Sequence, residues 1–155
     1  MNVIFTYPNA DTHGRRIIEM ITAYSERHPQ TRIAENLGTE AYFSLMGQVS
    51  MMVGNSSSGI IEAASLKLPV VNIGTRQQGR TKAENVINVG YQKTEILSGI
   101  NKARSVKFRQ SLTNLTNPYG DGNASARIVD TLKTVPIDDS LLRKGFYAPV
   151  GGVTV

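Results

Sequence analysis

Cysteine and tryptophan are absent from this 155-residue chain, histidine occurs only twice, and no apolar run approaches the roughly 20 residues of a membrane-spanning helix. Without cysteine, disulfides, thiolate metal sites and cysteine nucleophiles are excluded. His13 and His28 fall in and at the end of an expected surface helix, too few and too exposed for a metal site. The start, MNVIFTYPNAD, has neither a basic leader nor a long apolar core, so a soluble cytoplasmic protein with no membrane partner is expected. Charge is sparse, at 19% of residues, and 17 basic against 12 acidic groups leave a net +5. That balance suits an anionic ligand. The basic residues are scattered, with no dense block and no interleaved aromatics, which argues against nucleic acid. A 40% hydrophobic content over this length supports one globular domain with a substantial core.

Apolar and polar stretches alternate along the chain. Asn2 to Tyr7 (NVIFTY) is β-branched and aromatic and predicts a short strand, stopped by Pro8 and Asn9. Asp11 or Thr12 then caps a helix from Gly14 to Arg27, with Ile17, Ile18, Ile21, Ala23 and Tyr24 inward. Thr31 to Glu35 predicts a second strand. Thr39 to Gly47 predicts a short helix with Tyr42, Phe43, Leu45 and Met46 on its buried face. Met51 to Val53 is a third strand, followed by a serine turn and a helix to Lys67. After Pro69, VVNIG reads as a central parallel strand. A polar loop, Thr75 to Asn85, separates it from a fifth strand, Asn85 to Val89. Helices follow over Lys93 to Arg104 and from Val106 to Asn117, where Pro118 intervenes. The glycine-rich turn YGDGNA leads into a last amphipathic helix, Ala124 to Lys133, with Ala126, Ile128, Val129 and Leu132 as its stripe. The expected organisation is one α/β domain, a doubly wound parallel sheet of Rossmann-like type over residues 1–135, and an extended tail over 136–155.

The serine turn, GNSSSG from Gly54 to Gly59, is the strongest chemical signal. A strand that ends in small polar residues opening a helix presents free backbone N–H groups and hydroxyls to an anion, and Glu62 lies one turn on, within reach of a ribose diol. Alone, the same pattern describes an ordinary strand-to-helix turn in which one serine is the N-cap. Two further loops follow strands of the same sheet: the turn Pro8 to Asp11, and the loop carrying Arg76 and Arg80. Loops after parallel strands share one edge, so all three should converge. Asn9 offers an amide to a base edge, Ser56 and Ser57 offer phosphate donors, Glu62 an acceptor, and Arg76 a rigid cation. Asp11, Asn55, Ser58, Gly59 and Arg80 would support them. For the arginines a solvated basic loop, and for Asn9 and Asp11 a turn and helix cap, are the alternatives. No nucleophile–base pair and no metal cluster is visible, so no catalytic residue and no cofactor is assigned.

The segment GNSSSGIIEAASLKLPVVNIGTRQQGRTKAENVINV, from Gly54 to Val89, resembles the nucleotide-binding domain of UDP-N-acetylglucosamine 2-epimerases, above all the hydrolysing type of sialic and legionaminic acid biosynthesis. FTYPNAD and YGDGNA resemble further marks of that type, and the likeness extends from Phe5 to Leu132. It implies the C-terminal half of a two-domain, B-type glycosyltransferase-like fold. In that half, positions matching Ser56 and Ser57 contact the diphosphate of UDP, that matching Glu62 takes the ribose hydroxyls, and that matching Arg76 belongs to the nucleotide site. Asn9 matches a position facing the nucleotide.

The family chemistry is an anti elimination of UDP with loss of the C2 proton, then hydration of the 2-acetamidoglucal to a free N-acetylmannosamine-type sugar. Its carboxylates belong to the N-terminal domain, and a catalytic histidine falls just before the matching region. The resemblance therefore implies a UDP-binding half that needs its N-terminal domain as partner and has little activity alone. Dimers or higher oligomers are also implied. Two alternatives stand beside it: the donor-binding domain of a B-type glycosyltransferase, and a non-catalytic nucleotide-sugar-binding module.

Overall fold

The computed structural model describes residues 2–9, 12–143 and 145. Asp11 lies outside them, as does most of the expected tail. Five short strands alternate with helices: β1 (Val3–Thr6), α1 (Gly14–Glu26), β2 (Thr31–Ala34), α2 (Gly38–Gln48), β3 (Met52–Gly54), α3 (Ser58–Ile61), β4 (Val70–Ile73), β5 (Val86–Val89), α4 (Lys93–Arg104) and α5 (Val106–Ser111). Helices α6 (Ala124–Thr134) and α7 (Asp139–Leu142) follow. By its contacts the chain divides into one compact unit up to Thr116 and a second from Asn117.

All strand pairs are parallel, as expected for β-strands joined by crossover helices. They form a β1–β2 ribbon and a β3–β4–β5 sheet, in place of the single continuous sheet that the alternation predicts. The registers pair Phe5 with Ile33, Gly54 with Asn72, and Asn72 with Asn88. Central β4 is buried through Val70, Val71 and Asn72, which is why it is nearly all apolar.

Two clusters hold the first unit together. Met46 of α2, Ala63, Leu68 and Val70 form one, with Tyr42, Val49, Met52 and Val86 packed against it. Val71, Ile87 and Ala103 form the other, flanked by Met51, Val89, Ile100 and Phe108. Gly99 of α4 permits close approach there: a Cβ on it would stand 2.8 Å from Val89 and 2.9 Å from Val71. Asn85 is fully buried, and its amide donates to the Leu68 carbonyl at 2.8 Å, tying the start of β5 to the start of β4.

Several local expectations differ from the structure. Helix α1 begins after His13, which has φ 70° and no side-chain cap, so Thr12 does not cap it. The helix expected to reach Lys67 ends at Ile61. A 3₁₀ turn, Ala63–Leu66, replaces its second half and closes on Lys67 in the left-handed conformation, with the Leu68 N–H bonded back to Ala63. The Lys67 ammonium also donates to the Thr113 carbonyl.

Helix α5 stops at Ser111, well before Asn117. Part of the expected tail is helical, as α7. Phe43 of α2 and Ile17 and Tyr24 of α1, all expected inward, are exposed, and so is Leu97 of α4. Among the described residues no helix is long and apolar enough to cross a membrane.

Candidate functional site

Parallel register carries the C-terminal ends of β3, β4 and β5 to one edge. The loops leaving Gly54, Ile73 and Val89 therefore stand side by side. The chain leaves β3 through Gly54 at φ 152°, a conformation reserved for glycine. Four small polar residues then turn it into α3. Ser56 Oγ accepts from the Ser58 N–H at 3.3 Å and lies 3.1 Å from Ser58 Oγ, which is itself 2.6 Å from the Tyr42 hydroxyl. Ser58 is thus spent on holding the turn against α2. Ser57 is exposed, and its hydroxyl has no partner among the described residues.

Gly59 lets α3 lie on the sheet, since a Cβ there would meet Val70 at 3.0 Å. Because α3 spans only four residues, aligned peptide dipoles add little at this end. What the turn offers an anion is its amides and hydroxyls. Glu62 caps α3 and is half-buried; its Oε2 is shielded from solvent and accepts no hydrogen bond. A shielded carboxylate oxygen without a donor is costly, and Thr31, Gln77 and Asn85 carry other buried oxygens of this kind.

The second loop leaves β4 through Gly74 at φ 74°. Tyr91, at the end of β5, reaches across it: its hydroxyl accepts from the Thr75 N–H at 3.1 Å and lies 3.3 Å from Thr75 Oγ1. Hydrogen bonding from the Thr75 side chain and then its backbone favours the phenolate and lowers the Tyr91 pKa from its usual value. Arg76 and Arg80 are both exposed on this loop.

Gln77, between exposed neighbours, is only 3% exposed, and its Nε2 donates to the Asn55 carbonyl at 2.7 Å. The serine turn and the Arg76 loop are therefore in direct contact. Sequence inspection passes over Gln77, because a glutamine inside a polar loop gives no periodic signal. On β4 and β5, the side-chain amide of Asn72 donates a hydrogen bond from Nδ2 to Oδ1 of the opposite Asn88 at 2.9 Å.

Asn9 is described and exposed after β1, whose ladder partner is β2. Its carbonyl lies where a Cβ on Gly14 would approach to 3.1 Å, so the turn packs back on α1. The hydrogen-bonded register brings together the loops after β3, β4 and β5; the Asn9 turn belongs to the other ribbon. Among the described residues no group of three His, Asp or Glu side chains could hold a metal ion.

A parallel α/β unit with polar loops gathered at its strand ends is the architecture of Rossmann-like ligand-binding domains. The comparisons with known proteins make the family specific. Residues 1–133 match the family described as UDP-N-acetylglucosamine 2-epimerase, and the chain belongs to that family. It is 40% identical over 144 residues to a UDP-N,N'-diacetylbacillosamine 2-epimerase (hydrolyzing) of Legionella pneumophila, covering 93% of this chain and 37% of that protein. It is 38% identical to a GDP/UDP-N,N'-diacetylbacillosamine 2-epimerase (hydrolyzing) of Campylobacter jejuni, covering 94% and 38%. The chain thus spans well under half the length of these relatives.

Among solved structures, it is similar to a UDP-GlcNAc 2-epimerase from Neisseria meningitidis bound to UDP-GlcNAc. That likeness has TM-score 0.60 and 23% identity, and covers 85% of this chain and 44% of that one. An enzyme from Methanocaldococcus jannaschii gives TM-score 0.61 at 19% identity, covering 85% and 36%. At these identities the structural likeness establishes the fold.

Proposed function

We propose that this chain is the UDP-holding part of a hydrolysing UDP-N-acetylglucosamine 2-epimerase that works in the cytoplasm. Ser56 and Ser57 receive the diphosphate, with Asn55, Ser58 and Gly59 shaping the turn. Glu62 accepts from the ribose hydroxyls, Arg76 adds charge with Arg80 in support, and Asn9 faces the nucleotide with Asp11 in a supporting role. The single observation that carries this reading is the shielded, unpartnered Oε2 of Glu62 directly after the serine turn. A ribose hydroxyl is the donor this oxygen lacks.

The parent enzyme would eliminate UDP from a UDP-linked 2-acetamido sugar and hydrate the glycal to a free mannosamine-type sugar. Removing a proton from an unactivated carbon needs positioned acid–base groups, and these would come from an N-terminal domain. The names of the relatives near 40% identity favour UDP-N,N'-diacetylbacillosamine as the sugar nucleotide. The chain alone then binds UDP and turns over little or no substrate. Calorimetric titration of UDP tests this: saturable binding with a Kd below the millimolar range is expected, and no heat of binding at millimolar nucleotide would sink it.

A further inference from the structure

We propose that Gln77 is a positioning residue, a latch that aims the Ser56 amide and makes the serine turn and the Thr75–Arg80 loop grip a nucleoside diphosphate as one unit. This rests on the nucleotide reading above. Glutamine is seldom fully buried, yet Gln77 is 3% exposed while its neighbours Arg76 and Gln78 face solvent. Its contact bridges 22 residues of chain and is short, 2.7 Å from Nε2 to the Asn55 carbonyl.

The direction of that bond matters. In a trans peptide the carbonyl of one residue and the N–H of the next point to opposite sides of the plane. With the Asn55 carbonyl held toward Gln77, the Ser56 N–H faces away from the loop's anchor. Only the nitrogen end of the amide can make this contact, because the carbonyl is an acceptor. The other end, Oε1, is buried and has no hydrogen-bond partner among the described residues. A leucine or methionine would fill the same space without that cost, so packing alone does not account for a glutamine here.

The loop is also fastened at its start, where Thr75 donates to Tyr91, and it closes on itself through the Gln78 N–H and the Thr75 carbonyl. Gln77 links this prefastened loop to the turn.

The test uses Gln77→Met, which keeps length and loses the donor, and Gln77→Asn, which keeps the amide but is one methylene short. UDP affinity is measured by calorimetry, and backbone hydrogen exchange is followed with and without UDP. Both variants should stay folded and bind UDP about tenfold more weakly, the loss of one strong hydrogen bond. In the natural sequence UDP should slow exchange in residues 55–58 and 75–80 together; in the variants it should slow exchange only at 55–58. A merely structural glutamine would lower the unfolding midpoint and leave that joint protection intact, which would overturn the proposal. So would unchanged affinity. If the natural sequence does not bind UDP, the nucleotide reading fails, and the latch is judged by ligand-free exchange. Acceleration at both segments in Gln77→Met then supports it; unchanged exchange overturns it.

Discussion

Helices α4 and α6 look alike in the sequence and differ in the structure. Each is about three turns long, with apolar residues three and four apart. On α4, Ala103 is fully buried and Gly99 lies close against Val71 and Val89. On α6, Ile128, Val129 and Leu132 are 58%, 45% and 67% exposed. The α6 segment is instead organised locally. Arg127 forks onto Asp121 at 3.0 and 3.1 Å, and the Asn123 N–H donates to the same carboxylate. Helical periodicity marks which face is apolar, and burial follows where another element packs on that face. Helix α4 has β4 and β5; what the α6 segment shows is the local bonding of Asp121 to Arg127 and Asn123.

Mutations can break that contrast, beginning with the sheet. Ile60→Ala removes a side chain with no exposed surface and should cost about 2–5 kcal/mol in urea unfolding. A loss under about 1 kcal/mol would mean that α3 is not held against the sheet as its burial indicates. Next in size is Glu62→Ala, which should weaken UDP binding by about 1.5–3 kcal/mol through lost charged hydrogen bonds. The same change should leave the unfolding midpoint unchanged or raised, because it deletes a shielded acceptor that has no donor. Weakened binding together with a large drop in stability would make Glu62 a structural residue.

Gly99→Ala should destabilise by about 1–2 kcal/mol. Overpacking against Val71 and Val89 outweighs the roughly 1 kcal/mol of improved helix propensity. A stabilised variant would show that α4 can lift from the sheet. On the other side of the contrast, Leu132→Ala should change stability by less than about 0.5 kcal/mol. A larger loss would reveal that the α6 face is covered in solution.

The smallest effect concerns Asp121. Its carboxyl is lowered from 3.8 to about 2, first by the Arg127 guanidinium and then by the Asn123 amide. The folded pKa lies below the unfolded one, so this contribution is present above about pH 4 and is lost as pH falls through about 2. NMR titration should show the carboxyl returning toward 3.8 in Arg127→Ala, and an unmoved titration would remove Arg127 as the cause.

Where an element carries its own signal, the sequence locates it to within a residue or two. β-Branched residues mark β1, β4 and β5, a short apolar run marks β3, and His28–Pro29 follows the end of α1. The serine turn is legible as a candidate because small polar residues stand between an apolar run and a helical pattern. Signals fail where the deciding partner is distant. Helix propensity through Ala63 and Ala64 predicts a continuing helix, but Leu68 must reach the cluster of Met46 and Val70, and the chain tightens into a 3₁₀ turn to deliver it. The paired-loop geometry is illegible for the same reason. Gln77 and Asn55 are strangers in sequence and meet only because β3 and β4 are parallel neighbours.

The sequence by itself determined the α/β alternation, the absence of thiol chemistry and the polar loops at strand ends, since composition and short-range periodicity are local properties of the chain. Tertiary structure decided which apolar faces are buried, that Ser58 is spent on Tyr42 while Ser57 is exposed, and that Glu62 keeps an oxygen without a donor. Those outcomes depend on contacts between residues far apart in the chain, whose energies no local pattern contains.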